Sequence, residues 1–348
     1  MAARRHTLLF TMGDPAGIGP EILARTLANP ALRRDARLAA VGDPEVLERA
    51  ARHAGARLTL RPVPPEQFDP SRNGAPGIPI VTSTAGAWGA FQPGAPSAET
   101  GRAAARAIEV AAQLALDGRA TAVVTAPISK KALHEAGYPY PGHTEFLGAL
   151  SGAPETRMLF AGGDYRILLA TVHVALARVS AVLTVDSLVR TIEYGALALR
   201  QFRWGEKSGV SVLAMNPHAG EDGLFGDEES RLLKPAIERA RASGIRVEGP
   251  FPADTFFAGR GREAGVIVAM YHDQGLIPAK MGGIGGAANV TLGLPFLRSS
   301  VDHGTAFDRA WKRGASRRPD PAGLVKAARV AIDLAERTRG RRLEWTWD

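Results

Sequence analysis

Apolar and polar positions alternate along this chain in two rhythms. Short, nearly continuous apolar runs read as buried strands, and longer stretches with apolar residues every three or four positions read as helices. Strand-like runs fall at residues 6–12, 37–41, 58–63, 78–82, 121–125, 157–161, 165–174, 209–215 and 264–270. Helical patterns fall at 19–29, 43–54, 97–118, 143–150, 186–202, 227–243, 303–311 and 322–339. Asp43 is placed to cap the second helix. Ser97 and Thr100 open the long central helix without a full capping box, while Glu99 suits its first turn through the helix dipole. A stretch rich in Pro and Gly, residues 64–96, interrupts the pattern. Strand and helix in alternation predict an α/β fold with a largely parallel sheet, whose ligands sit beyond the C-terminal strand ends. Met12, Thr125, His173, Asn216 and Met270 lie at such ends.

At 348 residues the chain is long enough for two domains or one large α/β unit. It has no Cys, which excludes disulfides, thiolate catalysis and Cys-based zinc sites. No signal-like or membrane-spanning apolar stretch occurs, so the expected location is cytoplasmic with no membrane partner. The net charge of +8 invites a nucleic-acid reading, but much of the excess falls between residues 312 and 342. No aromatic-plus-basic platform accompanies it, so a solvated basic face without nucleic acid is expected. An anionic small substrate also fits the charge.

The segment AMYHDQGLIPAKMGGIGGAANVTLGLPFLR, residues 269–298, carries His272, Asp273, Gln274, Lys280, Asn289 and Arg298 behind an apolar run. That is the pattern of a core strand delivering polar side chains to a site; the bland reading is a polar loop with a surface His. Of eight His, three follow apolar strands: His173, His218 and His272. If those strands are neighbours, three imidazoles converge and leave open positions on a divalent metal, as in catalytic sites. A strand-end His is otherwise a hydrogen-bonded core residue. TMGDPAGIGPE, residues 11–21, is a glycine-rich turn into a helix without the dinucleotide spacing; a phosphate cradle and a tight turn both remain open.

With those residues in hand, the chain resembles the 4-hydroxythreonine-4-phosphate dehydrogenase family of pyridoxal phosphate biosynthesis. The resemblance rests on TMGDPAGIGPEI, SAETG, VTAPISKKALHEAGYPYPGHTEFL, ATVHVAL, NPHAGEDGLFGDEE, GPFPADTFF, YHDQGLIPAK and NVTLGLPFLRSSVDHGTAFD, in that order from Thr11 to Asp308. It implies two α/β/α domains with largely parallel sheets, similar to the isocitrate and isopropylmalate dehydrogenases. The first domain would be discontinuous, residues 1–135 plus 302–348, and the second would span 136–301.

The resemblance also implies roles. His173, His218 and His272 would bind one divalent metal ion per site (Zn, Co, Mn or Mg), with His272 serving the partner subunit of a homodimer that shares its active sites. His143, Thr144, Lys280, Asn289 and Arg298 would bind a small anionic phosphorylated substrate. Asp254, Asp273 and Lys280 are the candidates for proton transfer, with no choice among them. NAD or NADP would lie near the turn that holds Gly282, Gly283, Gly285 and Gly286. The implied reaction is oxidation of 4-phosphooxy-L-threonine at its 3-hydroxyl, followed by decarboxylation to 3-amino-2-oxopropyl phosphate. A metal would acidify that hydroxyl, and Lys280 and Arg298 would offset the anionic ends. The alternatives are a dehydrogenase of another phosphorylated sugar acid, such as 4-phospho-erythronate or 4-phospho-threonate, or of a cyclic dihydrodiol. A metal-dependent lyase without nicotinamide comes further behind.

Overall fold

The structure, a computed structural model, describes residues 6–72, 76–84, 91–205, 208–281, 286–312, 314 and 318–347. In chain order its main elements are β1 (Thr7–Thr11), α1 (Gly19–Leu27), α2 (Pro30–Asp35), β2 (Arg37–Gly42), α3 (Pro44–Ala54), β3 (Leu60–Val63), β4 (Ile78–Thr82), α4 (Ala98–Leu116), β5 (Ala122–Thr125), α5 (Lys130–Glu135) and α6 (His143–Ser151). There follow β6 (Arg157–Gly162), β7 (Tyr165–Leu169), α7 (Val179–Val182), α8 (Val185–Phe202), β8 (Val210–Leu213), α9 (Lys234–Ala242), β9 (Val247–Phe251), α10 (Ala253–Ala258), β10 (Val266–Ala269), α11 (His272–Lys280), β11 (Ala288–Leu292), β12 (Leu297–Ser300) and α12 (Ala322–Thr338).

These elements form two compact units, Met1–Thr156 with Leu294–Arg342, and Arg157–Gly293 with Leu343–Asp348. The first unit therefore takes in α6 and β12, which the sequence reading assigned to the second.

In the first unit the strands run β3-β4-β2-β1-β5-β12, and every pairing is parallel. Period-two alternation sends Leu9, Ala39, Val41, Val63, Val81 and Val123 to one face, where α4 buries Ala105, Ile108, Ala111 and Ala112 against them. α12 covers the other side of β5 and β12, where Ser299 Oγ donates to Ala327 O at 2.9 Å. The helices start where local chemistry dictates. Asp43 accepts from Glu45 N and Val46 N to cap α3, and Gly55 closes that helix in the left-handed region. Ser97 and Thr100 make a reciprocal capping box at α4, with Thr100 Oγ1 accepting from Ser97 N at 3.0 Å. This corrects the sequence reading: a Thr performs the back-bond usually supplied by Glu or Gln.

In the second unit the order is β11-β6-β7-β10-β8-β9. Three pairings are parallel, β7-β10, β10-β8 and β8-β9, and the two at the other edge are antiparallel. α8 and α9 pack against β8, β9 and β10, while α11 lies against β7 and β10, with Leu276 among the buried residues beside Ile167, Leu169 and Ile267. The last residues return here. Trp345 stacks on Tyr194 with centroids 5.7 Å apart, and Gln201 pairs with the Glu344 backbone in both directions.

Three further sequence expectations need correction. Residues 303–311 form turns rather than a helix. The strand beginning at Tyr165 stops at Leu169, because residues 170–175 leave the sheet. The helix expected from residue 227 opens with a π-helical turn, Glu229–Leu233, before α9.

Candidate active site

The strands that precede the three histidines are neighbours: β10 pairs with β7 on one side and β8 on the other. Their exits are tied by side-chain bonds. Thr171 Oγ1 donates to Met270 O at 2.7 Å, joining the ends of β7 and β10. Met270 N donates to Gln274 Oε1 and Gln274 Nε2 donates to Ala214 O, both at 2.7 Å, joining β10 to β8. Just beyond β8, the backbone N–H groups of Met215 and Asn216 donate to Glu229 Oε1 at 2.8 Å each. His173 and His272 each lie two residues past a tied position and His218 two past Asn216, so all three histidines leave a rigid edge.

His173 and His272 come together, with ring centroids 6.0 Å apart. His272 opens α11 and presents Nδ1 to Asp273 Oδ1 at 2.7 Å. A carboxylate on Nδ1 directs the Nε2 lone pair outward, the usual arrangement behind a metal-ligating imidazole. His218 takes a different course. It begins a left-handed turn in which His218, Ala219, Glu221 and Asp222 all have positive φ between 43° and 54°. Each such non-glycine residue costs about 1–2 kcal/mol, a strain that persists only where surroundings over-determine it. Those surroundings are Glu229, 2% exposed, and Gly220, where a Cβ would sit 2.8 Å from Glu229 Oε2. The His218 ring stands beside Phe225, 6.1 Å between centroids. Among the described residues of a single chain, no three His, Asp or Glu come close enough to hold a metal. The strand-neighbour expectation therefore yields two adjacent imidazoles and a third on its own turn.

Elsewhere in the second unit, Lys280 ends α11 half-buried, and Asp254 is exposed in the first turn of α10. Asn289 lies in β11 with a buried Oδ1 that has no hydrogen-bond partner among the described residues. Gly282, Gly283 and Gly285 lie outside the described residues, and Gly286 sits in the bend before β11.

The first unit gathers its own polar group on the α4 face of β5 and β12. Arg298, 2% exposed, donates to Thr125 Oγ1 at 2.7 Å. Burial lowers its pKa to about 9, so it stays charged at neutral pH in a dry setting where an anion is held strongly. His143 opens α6, with a buried Nε2 lacking a hydrogen-bond partner among the described residues. Burial first, and then the charge of Arg298, hold its pKa well below the usual imidazole value, so the ring is neutral. Thr144 follows, 8% exposed. Neither α6 nor α11 has a side-chain N-cap, which leaves first-turn N–H groups for an anion.

The early glycine-rich turn is packed shut. A Cβ at Gly13 would meet Pro127 O at 2.4 Å, and one at Gly19 would meet Met12 O at 2.5 Å. Its own carboxylate, Asp14, is fully buried and accepts from Ala16 N and Thr100 Oγ1. Sequence reasoning gave no role to Asp14, Thr171 and Glu229, and it named Thr125 only as a strand end and Gln274 only within a polar segment. Gln274 stood in a quoted motif, but its clamp joins residues sixty positions apart, which no local pattern signals.

Comparison with known proteins shows the family. The family model described as pyridoxal phosphate biosynthetic protein PdxA matches residues 34–331. A 4-hydroxythreonine-4-phosphate dehydrogenase of Geobacter metallireducens is 44% identical over 333 residues, covering 95% of this chain and 97% of the relative. A D-threonate 4-phosphate dehydrogenase of Cupriavidus necator is 41% identical over 335 residues, covering 94% and 97%. The crystal structure of a 4-hydroxythreonine-4-phosphate dehydrogenase from Klebsiella pneumoniae superposes with a TM-score of 0.84 at 36% identity, covering 96% and 99%. The chain belongs to the PdxA family of pyridoxal phosphate biosynthetic dehydrogenases.

Proposed function

We propose that this chain oxidises 4-phosphooxy-L-threonine at its 3-hydroxyl with a nicotinamide coenzyme as hydride acceptor. Loss of carbon dioxide then gives 3-amino-2-oxopropyl phosphate. The observation that carries the reading is the tied edge of β7, β10 and β8, which gives rise to His173, His272 and His218 in a chain of this family.

The donor set fits a divalent cation. Three imidazoles suit Zn, Co or Mn better than Mg, which prefers oxygen. When bound, such a cation polarises the substrate hydroxyl and offsets the charge that develops as carbon dioxide leaves. This chain's residues supply the rest. Asp273 orients His272. Arg298 and Lys280 bind the anionic groups of the substrate, Arg298 from a position fixed by Thr125. Neutral His143 and Thr144 hydrogen-bond the substrate beside Arg298, and Asn289 Oδ1 accepts from its ammonium or hydroxyl. Asp254, Asp273 and Lys280 are the groups for removing the hydroxyl proton. NAD or NADP binds near Gly282, Gly283, Gly285 and Gly286, as the family resemblance implies.

The working form is a homodimer that completes the metal site, with His272 serving the partner. Two observations support this. One chain's described residues gather no three metal donors. Among the described residues, the exposed large apolar side chains, Val174, Leu176, Val182, Leu224, Phe225, Ile277 and Met281, all follow one of the three histidines in sequence, within about ten residues. Among the described residues no helix is long and apolar enough to cross a membrane.

The test is a substrate panel assayed for reduced nicotinamide, with metal-stripped and metal-restored protein. Turnover of 4-phosphooxy-L-threonine that needs metal supports the proposal; carbon–carbon cleavage without nicotinamide reduction sinks it. The second reading, favoured by the Cupriavidus relative, is D-threonate 4-phosphate as substrate, and a higher kcat/KM for it in the same panel would establish it.

A further inference from the structure

The first unit's sheet has a second charged feature at its other edge, where the strands begin. A cleft of about 220 Å³ opens around the starts of β1, β2 and β4, and Arg33, Arg37, Arg61 and Arg72 line it. One carboxylate, Asp69, stands among them, and its Oδ1 is taken by Ser71 N at 2.8 Å and Ser71 Oγ at 2.7 Å. Phe68 and Ile78, 3% and 5% exposed, contribute apolar wall.

Arg61 makes this more than a solvated basic rim. Val63 belongs to the apolar core under α4, so residue 61, two positions back along β3, faces the same way. Arg61 is in register with Pro79, and Arg37 lies two positions before the core residue Ala39. Both guanidiniums therefore leave the sheet on its core face. Arg61 Nε is closed from solvent and has no hydrogen-bond partner among the described residues. A buried donor on a charged group costs free energy unless an acceptor meets it. Three more guanidiniums at the same cleft favour an acceptor that is itself an anion of more than one charge.

We infer that the N-terminal edge of the first unit's sheet holds a site for a small phosphate ester, anchored by Arg61 and flanked by Arg33, Arg37 and Arg72. The phosphate meets the guanidiniums and the ester's apolar body lies against Phe68 and Ile78. Arg61 and Arg298 stand at one level across the sheet, through Pro79, Ala39, Leu9 and Val123, so five strand spacings separate the site from Arg298, roughly 24 Å at about 4.8 Å each. Its occupant is a second ligand and not the substrate under turnover.

Calorimetric titration of the full chain with phenyl phosphate and with inorganic phosphate tests this. Phenyl phosphate binding should weaken about ten- to a hundredfold in Arg61→Gln and, independently, in Arg33→Gln, whose side chain is exposed and whose loss leaves the fold intact. Phosphate taken up at the active site is recognised by its loss in Arg298→Ala and its indifference to Arg61→Gln. The kcat of both cleft variants without added ester should match that of the unaltered protein. Equal affinity and stoichiometry in the unaltered protein, Arg61→Gln and Arg33→Gln would overturn the site. Equal affinity for inorganic and phenyl phosphate would overturn the ester assignment.

Discussion

Asp14 shows how one buried side chain sets a pH response. Burial outweighs its bonds to Ala16 and Thr100 and raises its pKa from 3.8 to about 6. A carboxyl raised on folding stabilises the fold fully below its unfolded pKa, and that contribution is lost as pH rises through about 6. Glu21, fully buried under Trp311 N, is shifted the same way by burial. Asp14→Asn should therefore raise stability at pH 8 by on the order of 3 kcal/mol and leave it unchanged near pH 3.5, as read by urea denaturation. At Arg298 and Lys280 the prediction is kinetic. Removing either should raise KM for a phosphorylated substrate by roughly one to two powers of ten, with little change for the dephosphorylated analogue. Arg298→Lys should not restore Arg298 function fully, because an ammonium cannot bond Thr125 and an anion with the same planar geometry. Equal losses on both substrates would remove phosphate reading from these residues.

At the scale of the element, glycine in SAETG has a steric cause. Gly101 lies in the second turn of α4, and a Cβ there would sit 2.0 Å from Ala132 O and 2.3 Å from its carbonyl carbon. Both atoms are backbone, so α5 must move to admit even a methyl. Gly101→Ala should cost about 1–3 kcal/mol or more, visible as a lower denaturation midpoint with an unchanged m-value. The same scale shows what the chain's pattern could reveal. Strands with continuous apolar runs, such as β1, β5 and β10, announce themselves. β12 does not, because its four residues include a buried Arg and two Ser whose partners, Thr125 and Ala327, come from distant segments. β9 carries Gly and Pro, which blur the apolar pattern of a strand. The histidines were legible as types and positions. That His218 would ride a left-handed turn held by Glu229 was not, since the strain is relieved by a residue eleven positions away on a π-helical turn.

For the whole molecule, the shared site makes a sharp demand. If His272 completes the partner's metal set, His272→Ala and His218→Ala are each inactive alone. Mixed after subunit exchange, they should regain one intact site per heterodimer, up to about a quarter of full activity in an equimolar mixture, given statistical pairing. Metal analysis of each variant should show reduced occupancy without loss of fold. An exchanged mixture that stays inactive would exclude sharing. Alternating strands and helices were enough to foresee an α/β fold, while the division into two domains came from the family resemblance; the place where one ends and the other begins was harder, because α6 has the same helical signature whichever sheet it serves.

The return of Leu343–Asp348 to the second unit has a consequence for how the protein is made. The first unit needs β12 and α12, and the second needs Trp345 against Tyr194, so both draw on residues 294–345. Neither can close its core until those residues have emerged from the ribosome. Until then the nascent chain must keep two unfinished sheets from aggregating, which makes it a natural client for chaperones that act during synthesis.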